Sequence, residues 1–456
     1  MPQRLGRDRG RTTMIAGRIR TPFAFALALA ALGPGPIWAQ TVTVVTSFPK
    51  ELTAAYKAAF EKANPGTKVE ILNKGTSAGV AYTREAPAGS RPDVFWASAP
   101  DAFEVLAKDG LLEKYDPGIQ GIPDKIGSYP INDPQGYYRG QALAGYGIMW
   151  NTRYMKAHKL PEPREWADLA RPVYFGHVAI SSPSRSGTTH LTVETILQGE
   201  GWAKGWAQIL RIAGNCAAIT ERSFGVPEGV TNGQYGLGLV IDFFGLAAQA
   251  SGFPVGFVYP SVTAIVPANI GLVAGAKSPE MGKRFIQYTL SPAGQELLLD
   301  PKISRLPVLP ETYRKAPPGF PDPYGGKIKA KVNFDSNASE RRYYLVSSLF
   351  DQTITFRHKE LVAATKAIDE ASARLLRKPN AEAEKLLAEA RALAFTPVVD
   401  EAKMRDDGFV GVFRDTKRDA AKQKQMTALE EHWGNEARRN YERAADLAKK
   451  AASMAR

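Results

Sequence analysis

The run Thr41-Val42-Thr43-Val44-Val45-Thr46 is unbroken and largely β-branched, and it predicts a strand. Ser47-Phe48-Pro49 turns it into a helix over about 50–63, where Leu52, Tyr56 and Phe60 recur on one face. Asn64-Pro65-Gly66 ends that helix. Lys68 to Leu72 is the second strand, and the small-residue loop Gly75-Thr76-Ser77-Ala78-Gly79 enters a second helix. Pro92 to Ala97 is the third strand, followed by Ser98 and a helix ending at Asp109-Gly110.

Leu143 to Thr152, with Gly145 and Gly147, predicts an extended crossover into a second αβ pattern. That pattern has a helix near 164–170, a strand over 178–182, a hydroxyl-rich loop and a helix over 189–199. Trp202 and Trp206, four apart, share one helix face. Gly236 to Phe244 is a strand running into a helix, and 255–259 and 263–266 are further extended pieces. A helix with Phe285 and Ile286 follows, and then a proline-dense segment, Pro301 to Pro323, with the composition of a surface-hugging linker. Beyond about 330 the composition shifts. Only Gly408, Gly411 and Gly434 remain, and Leu361, Ile368 and Leu375 fall at sevenfold spacing. This predicts a helical extension over 331–456, arranged as a hairpin, with a tail fraying after about 445.

Strands alternating with helices imply an α/β fold with a parallel sheet. In such sheets ligands bind outside the carboxyl ends of the strands. Ser47, Thr76, Ser77 and Ser98 all lie at those ends. So does Ser184-Arg185-Ser186-Gly187-Thr188-Thr189-His190, at a strand-to-helix turn. A glycine among hydroxyls at a helix start exposes backbone N–H groups at the positive end of the dipole, which suits an anion. Arg185 adds a planar cation. Ser and Thr are equally common there as plain helix caps. Asp242, at the end of an apolar strand, reads either as a cap or as an acceptor for sugar hydroxyls.

Residues 1–20 carry six arginines against Asp8, the apolar run Phe23–Leu32 follows, and a small residue, Ala39, precedes Gln40. That order predicts a secretory signal peptide over 1–39, with Met14 as an alternative start. Its removal takes away six basic residues and one acidic one, so the formal charge falls from +13 to +8. A basic balance suits an anionic small ligand or a solvated surface, and export argues against nucleic acid. Cys216 is the single cysteine, so no intramolecular disulfide forms, and its apolar neighbours predict a buried inert thiol. The five histidines show no metal-ligand spacing, and Walker, HExxH and GxSxG patterns are missing. A hydrolase built on Ser184 or Ser186 would need His190, which points down the helix from them.

Thr43–Trp96, Ser184–Leu197, Arg222–Val230, Phe334-Asp335 and Leu349–Arg357 resemble extracellular solute-binding proteins of bacterial ABC transporters, over roughly residues 41–360. The Ser-Arg-Ser-Gly-Thr-Thr-His run resembles the ferric-binding-like branch that takes phosphorylated organic solutes. The resemblance implies a type II periplasmic-binding fold: two α/β domains, two crossover strands and a ligand cleft. Domain 1 would span 40–146 and 264–330, and domain 2 would span 147–263. It implies a periplasmic, monomeric receptor without cofactor or catalysis, which hands a small anionic solute to an inner-membrane ABC permease. Ser47, Thr76, Ser77, Ser98, Ser184, Arg185, Ser186, Gly187, Thr188, Thr189 and His190 would surround the anion, and Glu221 and Asp242 would meet sugar hydroxyls. Ferric-binding relatives place adjacent tyrosines where this chain has Phe243-Phe244, and phenylalanine cannot ligate iron. Iron capture and a sensory role toward a membrane histidine kinase are the alternative functions.

Overall fold

The computed structural model describes residues 40–455 apart from 128, 327, 329 and 415–418; the predicted signal peptide lies outside the described residues. Strand Gln40–Thr46 runs parallel to Thr67–Asn73 on one side and Val94–Ala97 on the other. Helix Lys50–Ala63 connects the first two and buries Leu52, Tyr56 and Phe60, as their spacing requires. Phe60 meets Phe285 edge to face at 5.2 Å, which pins this helix to Pro279–Leu290.

The main sheet runs Thr67–Asn73, Gln40–Thr46, Val94–Ala97, Ile265–Val273, Arg139–Asn151, Leu237–Ile241, Val178–Ser181, Cys216–Thr220. Its two halves meet on Arg139–Asn151. Residues 139–145 of that strand pair with Ile265–Ile270, and residues 146–150 pair with Leu237–Ile241. Val255–Val258 pairs with the same strand near its end. A Cβ on Gly147 would lie 2.2 Å from Val258 O, so glycine is what lets these strands approach.

Two sequence expectations need correction. The proline-dense segment is not a surface linker: Ile303, Arg305, Leu306, Val308 and Leu309 are buried, and Leu306–Pro307 pairs with Arg139–Asn151. Proline is tolerated there because a two-residue strand at the sheet margin needs few ladder donors. The chain also does not fray after 445. Helix Ala420–Met454 continues and buries Leu447, Ala448, Ala451 and Ala452. It packs on helices His358–Arg377 and Ala381–Phe395, and the run of alanines permits a close approach.

The helical extension holds both halves of the sheet. Toward the first half, Ser339 Oγ donates to Asp101 Oδ2 at 2.8 Å and Lys108 pairs with Glu340. Toward the second half, Arg342 binds Glu194 through Nε at 2.9 Å and Nη2 at 2.8 Å. Glu194 lies on Gly187–Glu200, a helix buried nearly all round between sheet and extension. Such a helix tolerates a carboxylate only with a matched partner. Arg342→Ala is expected to lower unfolding free energy by about 3–5 kcal/mol in urea denaturation, because it strands a buried charge. A double Glu194→Leu/Arg342→Met variant is expected to lose much less, and equal losses would contradict this account.

A cavity where six strand ends converge

Each strand of the two parallel halves ends in a loop on the same side, and those loops meet. Ser47 and Phe48 follow Gln40–Thr46, Gly75 and Thr76 follow Thr67–Asn73, and Ser98 follows Val94–Ala97. From the other half, Arg185, Ser186, Gly187 and Thr188 follow Val178–Ser181, Arg222 and Ser223 follow Cys216–Thr220, and Phe243-Phe244 follow Leu237–Ile241. Together they line one cavity with a free volume of about 20 Å³. That is room for about one water molecule. The walls touch: a Cβ on Gly187 would lie 2.7 Å from Thr76 Oγ1 and 2.8 Å from Ala99 Cβ.

The helix that starts at Gly187 points its first turn into this cavity. Ser186 caps it, with its Oγ accepting from Thr189 N–H at 3.1 Å. The N–H groups of Gly187 and Thr188 belong to the first turn, which has no intrahelical acceptor. Hydroxyls from Ser47, Thr76 and Ser98 face them across the cavity. Arg222 leans on Phe224, 4.6 Å from the ring centroid, and burial pulls its pKa down.

Not every predicted residue reaches this place. Ser77 Oγ lies 2.9 Å from Tyr343 OH, and Ser184 Oγ lies 2.7 Å from Ser182 Oγ. Both line a second cavity of about 470 Å³ against the helical extension. His190 is fully buried, with Nε2 3.1 Å from Asp101 Oδ2 and its ring tilted against Tyr343 at 4.3 Å between centroids. Thr189 is buried behind the cap. Glu221 is 80% exposed and accepts from Arg185 Nη1 at 2.8 Å on the rim. Asp242 is buried at a helix start and points at the crossover strand. It accepts from Gly145 N–H at 2.7 Å, Phe243 N–H at 2.8 Å and Tyr259 OH at 3.0 Å. Burial raises its pKa to about 6 against those bonds and the nearby charge of Arg305.

Sequence reasoning missed Phe48, Arg222 and Ser223 as cavity lining, and it missed Arg305 beneath them; Phe243-Phe244 line the cavity at the place where the resemblance set the iron relatives' tyrosines. Arg222 and Ser223 were legible in principle, since they follow a strand; Cys-Ala-Ala-Ile-Thr is too alanine-rich to read as one. Nothing local marks Arg305. Cys216 is buried as expected, and burial raises its thiol pKa. Among the described residues no three His, Cys, Asp or Glu side chains are grouped to hold a metal ion, and no helix is long and apolar enough to cross a membrane.

Comparison with known proteins fits this architecture. The phosphoglycerate transport regulatory protein PgtC of Salmonella typhimurium is 29% identical over 397 residues, covering 85% of this chain and 93% of that protein. The periplasmic binding protein AfuA from Actinobacillus pleuropneumoniae, solved with exogenous fructose-6-phosphate bound, is similar with a TM-score of 0.63 at 20% identity. The match covers 69% of this chain and 99% of AfuA. Iron-bound HitA from Pseudomonas aeruginosa gives 0.56 at 17% identity, over 68% of this chain and 98% of HitA. At such identities these two structures speak for the fold alone, which is the type II periplasmic-binding fold followed by helices. Residues 90–326 match the family of bacterial extracellular solute-binding proteins, more than half of the 456 residues, and the chain belongs to that family.

Proposed function

We propose that this protein is the periplasmic receptor of an ABC import system and captures a small phosphorylated organic anion between two domains, 40–146 with 264–330 and 147–263. The observation that carries this is the cavity itself. Loops from both halves bring helix-start N–H groups and six hydroxyl residues, Ser47, Thr76, Ser98, Ser186, Thr188 and Ser223, to one point. Such donors suit phosphoryl oxygens, which accept several hydrogen bonds each. The cavity as closed holds about one water, so a solute enters only when the walls part. Contacts from both walls then favour the closed form. PgtC, named for phosphoglycerate transport, and AfuA, solved with fructose-6-phosphate, support the choice of ligand.

Iron capture finds less support. Phe243 and Phe244 are aromatic wall residues without oxygen, and Tyr343 is engaged with Ser77 and His190 away from the cavity. Catalysis finds little either, because His190 lies behind the cap with Asp101 rather than at a cavity hydroxyl. A sensory role has one specific observation in its favour. The match to PgtC, a regulatory protein by name, covers 85% of this chain, more than the residues before the helical extension can supply. Stable association with a sensor kinase's periplasmic domain, and none with a permease, would favour that role.

Calorimetric titration tests the main reading. Fructose 6-phosphate or 3-phosphoglycerate is expected to bind one to one, and fructose and glycerol not to bind. Equal binding of the neutral compounds would contradict it. Gly187→Ala is expected to weaken phosphate-ester binding about tenfold or more, 1.4 kcal/mol per decade, since its Cβ would meet Thr76 and Ala99. Its ligand-free melting temperature should stay near that of the wild type; unchanged affinity would remove this helix start from the site.

A further inference from the structure

Arg305 is 1% exposed, and its guanidinium lies between the rings of Phe48 and Phe243, 4.3 and 4.5 Å from their centroids. Phe48 belongs to a strand-end loop of the first half and Phe243 to the helix start of the second, so one cation is held by both walls of the cavity. Nη2 donates to Ser98 Oγ at 3.2 Å. Nε and Nη1 have no hydrogen-bond partner among the described residues. Asp242 is near enough to favour the charged guanidinium, yet its carboxylate is bonded to Gly145, Phe243 and Tyr259. Burial lowers the arginine's pKa to about 10, which still leaves it charged at neutral pH.

A buried guanidinium with two unused donors is a poor device for stability: burial takes water from the ion, and the fold returns one hydrogen bond. Three of its neighbours, Phe48, Ser98 and Phe243, are themselves cavity-lining residues. The chain also turns sharply to deliver it. Ser304, buried, takes φ +45°, and Arg305 N–H then donates to Leu298 O at 2.9 Å. Arg185, the arginine that the sequence motif advertises, is by contrast engaged with exposed Glu221 on the rim.

We propose that Arg305 is the charge that selects the solute: when the walls part and each ring moves with its own half, one edge of the guanidinium, the second Nη2 hydrogen with the free Nε or Nη1 beside it, takes two oxygens of the ligand's phosphoryl or carboxylate group. The neutral donors of the Gly187 helix start and the hydroxyls then complete the shell from the opposite wall. Arg305 confers preference for an anion over the neutral parent compound, and its planar fork favours an oxyanion with two coplanar acceptors over a spherical halide. This inference rests on the reading of the cavity as an anion receptor.

The test is calorimetry on the full mature chain, wild type, Arg305→Gln and Arg305→Lys, with fructose 6-phosphate, inorganic phosphate, glycerate and fructose as probes, alongside ligand-free melting curves. Arg305→Gln is expected to lose about a hundredfold in affinity for the oxyanion probes, with a melting temperature no lower than that of the wild type. Loss on both phosphate probes assigns the phosphoryl group to Arg305, and loss on glycerate alone assigns a carboxylate. If Arg305→Gln does not fold, Arg305→Lys decides: it keeps the charge without the fork and is expected to bind about tenfold more weakly. Wild-type affinity in either folded variant would overturn the assignment. A wild-type protein that binds none of the three anions would overturn the receptor reading itself, a result distinct from failure of the arginine.

Discussion

The structure depends on one strand being shared. Arg139–Asn151 completes the ladder of the first half with residues 139–145 and that of the second with residues 146–150. The sheet is therefore continuous, and the loops at its strand ends are held in one place. The return path, Tyr259 to Ala264, crosses at the same level, where Thr263 Oγ1 donates to Tyr146 O at 2.8 Å. A bending motion concentrated at these two crossings would separate the walls while leaving each half's core intact. Gly145 and Gly147 sit at the crossing, where any side chain would strike Ile265, Tyr259 or Val258.

Buried polar groups in this fold divide into two kinds. Glu194 and Arg342 are matched, with two short hydrogen bonds between fully or nearly buried partners, and they bind the extension to the second half. Asp101 with Ser339, His190 and Tyr343 forms a comparable cluster that reaches the first half. Arg305 is instead under-matched: Nη2 reaches Ser98 Oγ, Nε and Nη1 have no partner among the described residues, and nearby Asp242 is bonded to Gly145, Phe243 and Tyr259. Matched groups tie the extension to the framework, whereas the Arg305 guanidinium keeps two donors unused. Because the extension grips both halves, separation of the walls has to preserve those contacts or break them.

Much of the α/β framework was legible because its signals are local. Val44-Val45-Thr46 is β-branched, Leu52, Tyr56 and Phe60 recur at helical spacing, and Asn64-Pro65-Gly66 stops a helix. The strand-end rule also brought Ser47, Thr76, Ser98 and Ser186–Thr188 to attention from spacing alone. What was not legible depends on residues distant in sequence. Ser77, Ser184 and His190 have the same chemistry as their neighbours, but Tyr343, Asp351 and Ser339, 149 or more positions away, draw them or the adjoining Ser182 toward the extension. Arg305 is buried by Phe48 and Phe243, so a local composition rich in proline suggested a linker. The tail past 445 looked frayed because alanine, lysine and arginine dominate, yet alanine at helical spacing is what a close helix pair buries.

The central claim, that the cavity closes on a phosphorylated organic anion, is tested most directly by native mass spectrometry of the protein purified without unfolding from cells that export it. The account predicts one bound organic phosphate per chain, released on denaturation and absent after exhaustive dialysis of the unfolded and refolded protein. Bound iron without an organic anion, or a neutral solute in its place, would contradict it.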